Sequence, residues 1–120
     1  MATLNPTLKL ISADTASDAL AFTVTDALSV TQPMVDIAQV NLGTGITKLV
    51  PVTASAITYF YCKNNSTTET VVIQQTADSK DFADLSPGEF MIYPVKGTKG
   101  VNARSAANTA VLEYGYWTKA

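Results

Sequence analysis

ITYFYCKNNSTTETVVIQQTADSKDFADLSPGEFMIYPV, residues 57–95, is the stretch whose reading decides the fold. It holds three apolar runs, at 57–62, 71–75 and 90–95, separated by two polar breaks. The runs are rich in β-branched and aromatic residues, which fit a pleated, half-buried surface. The breaks are an Asn/Ser/Thr cluster and the turn Ser86-Pro87-Gly88-Glu89. Short apolar runs bounded by such clusters read as antiparallel strands, here as a β-meander.

Outward from this stretch, the same grammar continues. Residues 7–11 read as a short strand with Leu8 and Leu10 on one face and Lys9 on the other. Residues 12–18 read as a loop. Residues 19–25 alternate cleanly, which predicts a strand with Leu20, Phe22 and Val24 pointing inward. Residues 26–33 read as a strand after a bend, ended by Pro33. Residues 34–42 fit a helical face or a strand, and their β-branched content and the Gly43-Thr44-Gly45 turn favour the strand. Residues 46–52 carry Pro51 and read as a sheet-edge strand, linked by 53–56 to the central stretch. After it come a turn at 96–100, a strand at 101–104, a turn at 105–108 and a last strand at 109–117. On that last strand Ala110, Leu112, Tyr114 and Tyr116 share one face, and Val111, Glu113, Gly115 and Trp117 the other. Aromatics on both faces fit either a strand covered on both sides or a Trp117 that caps one end of the core.

These readings sum to an all-β chain of about eight or nine short antiparallel strands, a single-domain β-sandwich or small barrel. Residues 1–6 read as an N-terminal arm, disordered alone or ordered by a neighbour, and 7–120 as the domain. A chain of 120 residues is long enough to bury a core without staples.

Composition narrows the function classes. Charged residues make up 15%, low against about a quarter in typical proteins. Interspersed charge keeps a free monomer soluble, so a weakly charged surface points to one covered by a partner. The net charge is −2, and the eight Lys and Arg are scattered. Nucleic-acid binding needs a basic face, so none is expected. No apolar stretch reaches about 18 residues, so no membrane span is expected. The N-terminus lacks the pattern of a signal peptide, and the expectation is a protein made and kept in the cytoplasm unless carried out as part of something larger.

No set of residues makes a convincing catalytic centre, and neither cofactor nor metal is expected. Cys62 sits within the aromatic strand and reads as a small buried side chain. The chain has no histidine to activate it. The Gly/Lys/Thr stretches at 43–48 and 96–100 lack phosphate-loop spacing and read as hairpin turns. Asp78, Asp81 and Asp84 recur every third residue without Ca²⁺-loop spacing and read as a solvated turn. Asn64-Asn65-Ser66-Thr67 holds two overlapping glycosylation sequons and reads as a hairpin tip.

Several of these stretches carry a resemblance. Tyr59-Phe60-Tyr61-Cys62-Lys63-Asn64-Asn65 resembles the aromatic-Lys-Asn hairpin, with its Ser/Thr-rich tip, of small virion proteins of tailed bacteriophages. Leu85-Ser86-Pro87-Gly88-Glu89-Phe90, followed by Tyr93-Pro94, is similar to the turn that comes next in them. Asn108-Thr109-Ala110, leading into Val111-Leu112-Glu113-Tyr114, resembles their last strand. The likeness covers about half the chain. It implies a non-enzymatic structural role in a virion, best matched by a head decoration (cement) protein.

Such a protein would sit on the head surface, bind the major capsid protein and its own copies, as a homo-oligomer such as a trimer, and stabilise contacts between capsid subunits. The interface candidates are then the arm Ala2, Thr3, Leu4, Asn5 and Pro6, the tip Asn64, Asn65, Ser66 and Thr67, and the aromatics Tyr116 and Trp117. The alternatives are a tail, neck or fibre component of the same virion, and a carbohydrate- or ligand-binding β-sandwich using Trp117 or Tyr93.

Overall fold

The structure, a computed structural model, describes residues 2–13, 20–53 and 57–119. Most of the loop expected at 12–18 and of the link at 53–56, together with Met1 of the arm and Ala19 and Ala120, lies outside the described residues.

The described chain is all-β, with eleven strands. They are β1 (Ala2–Leu4), β2 (Thr7–Ser12), β3 (Leu20–Thr25), β4 (Leu28–Leu42), β5 (Thr47–Val50), β6 (Thr58–Asn64), β7 (Val71–Gln75), β8 (Lys80–Leu85), β9 (Phe90–Val95), β10 (Val101–Ser105) and β11 (Ala110–Lys119). A five-stranded sheet runs in the order β1-β4-β11-β6-β9, and a four-stranded sheet in the order β5-β10-β7-β8. The core lies between these two layers. Leu42, Phe60, Cys62, Val95, Ala110 and Leu112 enter it from the first, and Leu49, Val71, Ile73, Leu85, Val101 and Ala103 from the second. This is the sandwich solution, in which each sheet buries its apolar face against the other.

Residues 57–95 do not form the expected meander. β6 and β9 are neighbours in one sheet, while β7 and β8 form a hairpin in the other. The chain leaves one layer at Asn64 and returns through the turn at Pro87-Gly88. Asn64 holds that crossing. It is fully buried, and its Nδ2 donates to the carbonyls of Glu69 at 2.7 Å and Leu85 at 2.8 Å. Its Oδ1 accepts from the Ser66 N–H at 3.0 Å. Gly88 takes a φ of +85°, the left-handed conformation a Pro-Gly turn requires, and its N–H donates to the Asn64 carbonyl at 2.9 Å.

Two further strand readings change. β8 occupies the place of the expected Asp-rich turn. It is an edge strand with Asp81 and Asp84 pointing outward, a charge pattern that protects an edge and masks the alternation of Ala83 and Leu85. Pro33 does not end a strand, since β4 runs through it. The register against β11 shifts on both sides of Trp117, which lies opposite Pro33. An irregular rung tolerates a residue with no N–H to donate.

The remaining two-stranded sheet, β2-β3, is not a separate unit. Its rungs run from Thr7↔Thr25 to Ser12↔Leu20, and those of β1-β4 from Ala2↔Val30 to Leu4↔Leu28. In every rung the two residue numbers have the same sum. The two sheets are therefore one hairpin in one register, interrupted only around Asn5-Pro6 and Asp26-Ala27. Across the interruption the Asp26 N–H donates to the Pro6 carbonyl at 3.2 Å. The expected arm is thus the first leg of this hairpin, ordered by its own chain.

Candidate partner-binding surface

The two outward faces of the sandwich differ in chemistry. The four-stranded sheet presents Lys48, Gln74, Asn102, Arg104, Asp81 and Asp84. Some of these side chains pair with one another, while Gln74 Oε1 is buried without a hydrogen-bond partner. Arg104 Nη2 lies 3.3 Å from Asp81 Oδ2, Gln74 Nε2 donates to Asp81 Oδ1, and Thr76 Oγ1 donates to Asn102 Oδ1 at 2.8 Å. This face is mostly polar and carries its own ion pair.

The outward face of the five-stranded sheet carries Ile37, Tyr59, Tyr61, Phe90, Ile92, Val111 and Trp117. Phe90 is 62% exposed, Ile37 52% and Ile92 47%. Its polar patch lies toward one end, where Tyr61 donates to Glu113 Oε1 at 2.7 Å and Asn65 Nδ2 donates to Glu113 Oε2 at 3.4 Å. Burial first, and this hydrogen bond second, push the Tyr61 phenol up to about 12. The phenol stays protonated and serves as a fixed donor.

Trp117 neither caps the core nor stands free. It lies over its own strand at Gly115, where an added Cβ would come within 2.9 Å of Ile37 Cδ1 and 3.3 Å of the Trp117 ring. The missing side chain at Gly115 is what seats the indole.

The other candidates separate in the same way. Tyr116 is on the inward face and packs against the core. At the tip, Asn64 is spent on the crossing. Ser66 Oγ accepts from the Val111 N–H at 2.7 Å, and the Asn65 N–H donates to the Val111 carbonyl at 2.9 Å. Those residues clamp β6 to β11, and Thr67 is the exposed member of the tip. In the arm, Ala2, Thr3 and Leu4 form β1, Thr3 and Asn5 are exposed, and Leu4 and Pro6 are half-buried. The three groups do not converge on one spot. The arm and Trp117 belong to the same sheet, with the tip at another end of it.

Sequence reasoning missed the larger exposed surface. Leu20, Phe22 and Val24, expected inward, are 38%, 42% and 53% exposed. Leu8 and Leu10 on the facing strand are exposed as well. Alternation correctly reported one apolar face, but it carries no information on whether another layer covers that face. A cue was present: the face sits on a hairpin whose strands pair only with each other.

Chemically reactive groups are held quiet. Cys62 is buried, and burial pushes its thiol up to about 12. Asp78 and Asp81 turn to different cations, Asp78 to Lys99 at 2.7 Å and Asp81 to Arg104. The hydrogen bond from Lys99 holds the Asp78 carboxyl below its ordinary value. Among the described residues no group of acids, Cys or His is placed to hold a metal ion. A hollow of about 320 Å³ lies beside Phe82, Tyr93, Lys96 and Lys99. Tyr93 meets the rings of Phe60 and Phe82 edge-on, at 5.9 and 5.4 Å between centroids, so that ring is committed to packing. No described helix is long and apolar enough to cross a membrane.

Comparison with protein-family models, with curated proteins and with solved structures finds no match for this chain.

Proposed function

We propose that this protein is a non-enzymatic virion structural protein of a tailed phage. In this reading it binds the outside of the capsid and stabilises the contacts between capsid subunits. The observation that carries the reading is the asymmetry of the sandwich. One outward face is mostly polar and carries an ion pair and hydrogen bonds of its own, and the other leaves aliphatic and aromatic side chains in water. A surface of that kind is covered in use, because contiguous exposed apolar area marks a protein interface. The resemblance of residues 57–116 to small phage virion proteins supplies the kind of partner.

The mechanism is mechanical. The apolar face lies across the joint between capsid subunits, with Trp117 and Ile37 as anchors. The open edge of β4 beyond Val30 offers unpaired backbone groups to a capsid strand. Ala2–Leu4 is already paired, so the sheet edge receives a strand instead of the arm supplying one. Several such contacts on one particle make dissociation slow, and slow dissociation is what a clamp against internal pressure requires.

Immunogold electron microscopy of purified virions, with antibody raised to the recombinant protein, tests this. Dense label over the head is expected. Label restricted to the tail or neck would replace the capsid reading with that of a tail component. A virion without label on any part would overturn the reading.

A further inference from the structure

We infer that the β2-β3 half of the N-terminal hairpin is a self-association element whose apolar face is covered by a second copy of this chain. The inference stands on the hairpin and on Phe90 and Ile92 of β9 beside it, and does not require the virion reading.

Within the hairpin's single register, the even-numbered residues share one face. That face reads Val30, Leu4 with Leu28, Pro6 with Asp26, Leu8 with Val24, Leu10 with Phe22, and Ser12 with Leu20. The opposite face carries Thr7, Thr23, Thr25 and Lys9, with Ile11 and Ala21 toward the tip. The apolar stripe changes environment along its length. At the root Val30 is 2% exposed, and Leu4, Pro6 and Leu28 are half-buried. There the stripe rests on the sandwich, where Pro6, Leu8 and Val24 border a hollow of about 150 Å³ closed by Phe90 and Ile92. Beyond that contact every residue of β3 is exposed.

Three arguments select a second copy as the cover. A two-stranded hairpin is marginal in water by itself, so this one needs cover in every molecule, and a like chain is always present. Within β2 and β3 the stripe carries no charged side chain, and its one carboxylate, Asp26, lies at the root beside Pro6, so two copies meet over Leu8, Leu10, Leu20, Phe22 and Val24 without like-charge repulsion. The area is sufficient. At about 200 Å² per large apolar residue, the exposed fractions of the stripe amount to about 440 Å², and Phe90 and Ile92 beside it bring the surface to about 650 Å², about four-fifths of the ~800 Å² each partner buries in a standard interface. In a closed assembly each copy both gives and receives this surface.

Sedimentation velocity of the full chain over a range of concentrations tests the inference. The wild type is expected to sediment as an oligomer at micromolar concentration. Phe22→Asp, which places a carboxylate in the stripe, is expected to weaken association by about 100-fold or more. Thr23→Asp, on the opposite face, is expected to leave it unchanged. Near-ultraviolet circular dichroism checks that the sandwich is intact, and Leu10→Ser with Phe22→Ser serves as a milder pair if the aspartate variant misfolds. A wild type that stays monomeric at about 100 μM, far above the micromolar range of modest interfaces, overturns the inference. So do stripe variants that associate as well as the wild type while Thr23→Asp dissociates.

Discussion

The sandwich core and the β2-β3 ribbon are written in the same code and come to opposite ends. Both alternate apolar and polar residues, and both form antiparallel ladders. In β6 and β11 the alternating face meets another sheet, and Phe60, Cys62 and Leu112 are fully buried. In β2 and β3 the alternating face meets water. The difference lies in the neighbours. β6 and β11 are interior strands, with a partner on each side and a second layer above. β2 and β3 have one partner each. A strand's pattern states which face wants cover, and topology decides whether the same chain provides it.

The comparison breaks most plainly under truncation of matched leucines. Leu112→Ala should cost about 3–4 kcal/mol in urea unfolding, the transfer loss plus a cavity in a layer that cannot collapse. Leu10→Ala should cost less than about 1 kcal/mol in dilute protein, since the side chain is already half in water. The pair also sharpens the comparison. If a second copy covers the ribbon, the Leu10→Ala penalty grows with protein concentration, because association stabilises only the folded chain that associates. The Leu112→Ala penalty does not. Equal costs at all concentrations would mean that the ribbon is packed as tightly as the core.

Asn64 tests a different side of the contrast, since the core contains a polar group and the ribbon's stripe contains none that is charged. Asn64→Ala removes two donors and one acceptor from a fully buried position, and it strands the Glu69 and Leu85 carbonyls. The expected loss is about 2–3 kcal/mol, read as a fall in the unfolding midpoint with little change in slope. Thr67→Ala, three residues on and exposed, should change the midpoint by less than about 0.5 kcal/mol. A small effect at Asn64 would mean that the crossing between layers is held by the turn at Gly88 instead.

The strands at 7–12, 20–25, 58–64, 71–75, 90–95 and 101–105 were legible because their alternation and turn residues are local signals. The all-β class followed from them. β8 was hidden because an edge strand is protected by the same carboxylates that mark a turn. The sheet exchange within 57–95 was hidden because sequence order suggests neighbours, whereas Asn64 reaches across to residues 69 and 85. Of the candidate contact residues, Thr3, Asn5 and Thr67 are exposed, and Trp117 is half-buried on the outward face. Asn64 and Tyr116 look the same in sequence and are drawn inward, one by buried carbonyls and the other by the parity of β11. The hairpin could have been read from the sequence only by aligning 2–12 against 20–30, a pairing with no hydrophobic partner beyond itself.

The smallest effect separates the two regions by pH. Cys62 titrates at 9.0 when unperturbed, and burial pushes it up to about 12 in the folded chain. The folded state therefore keeps a proton that the unfolded chain releases above about pH 9. Stability that is fully present below that pH is lost as pH rises toward 12, with a slope of up to about 1.4 kcal/mol per unit for one proton. At pH 10 the expected loss is about 1 kcal/mol relative to pH 8. Tyr61 has the same sign, but its hydroxyl is nearer to solvent, and its own window opens only above pH 10. Cys62→Ala should flatten the decline between pH 8 and 10 in urea titrations at each pH. The same substitution should leave oligomer dissociation unchanged over that range, because the stripe of β2 and β3 contains neither Cys nor Tyr. A wild-type stability that is level from pH 8 to 10 would mean that the Cys62 strand opens to solvent far more readily than its burial implies. β6 would then belong with the ribbon, not the core.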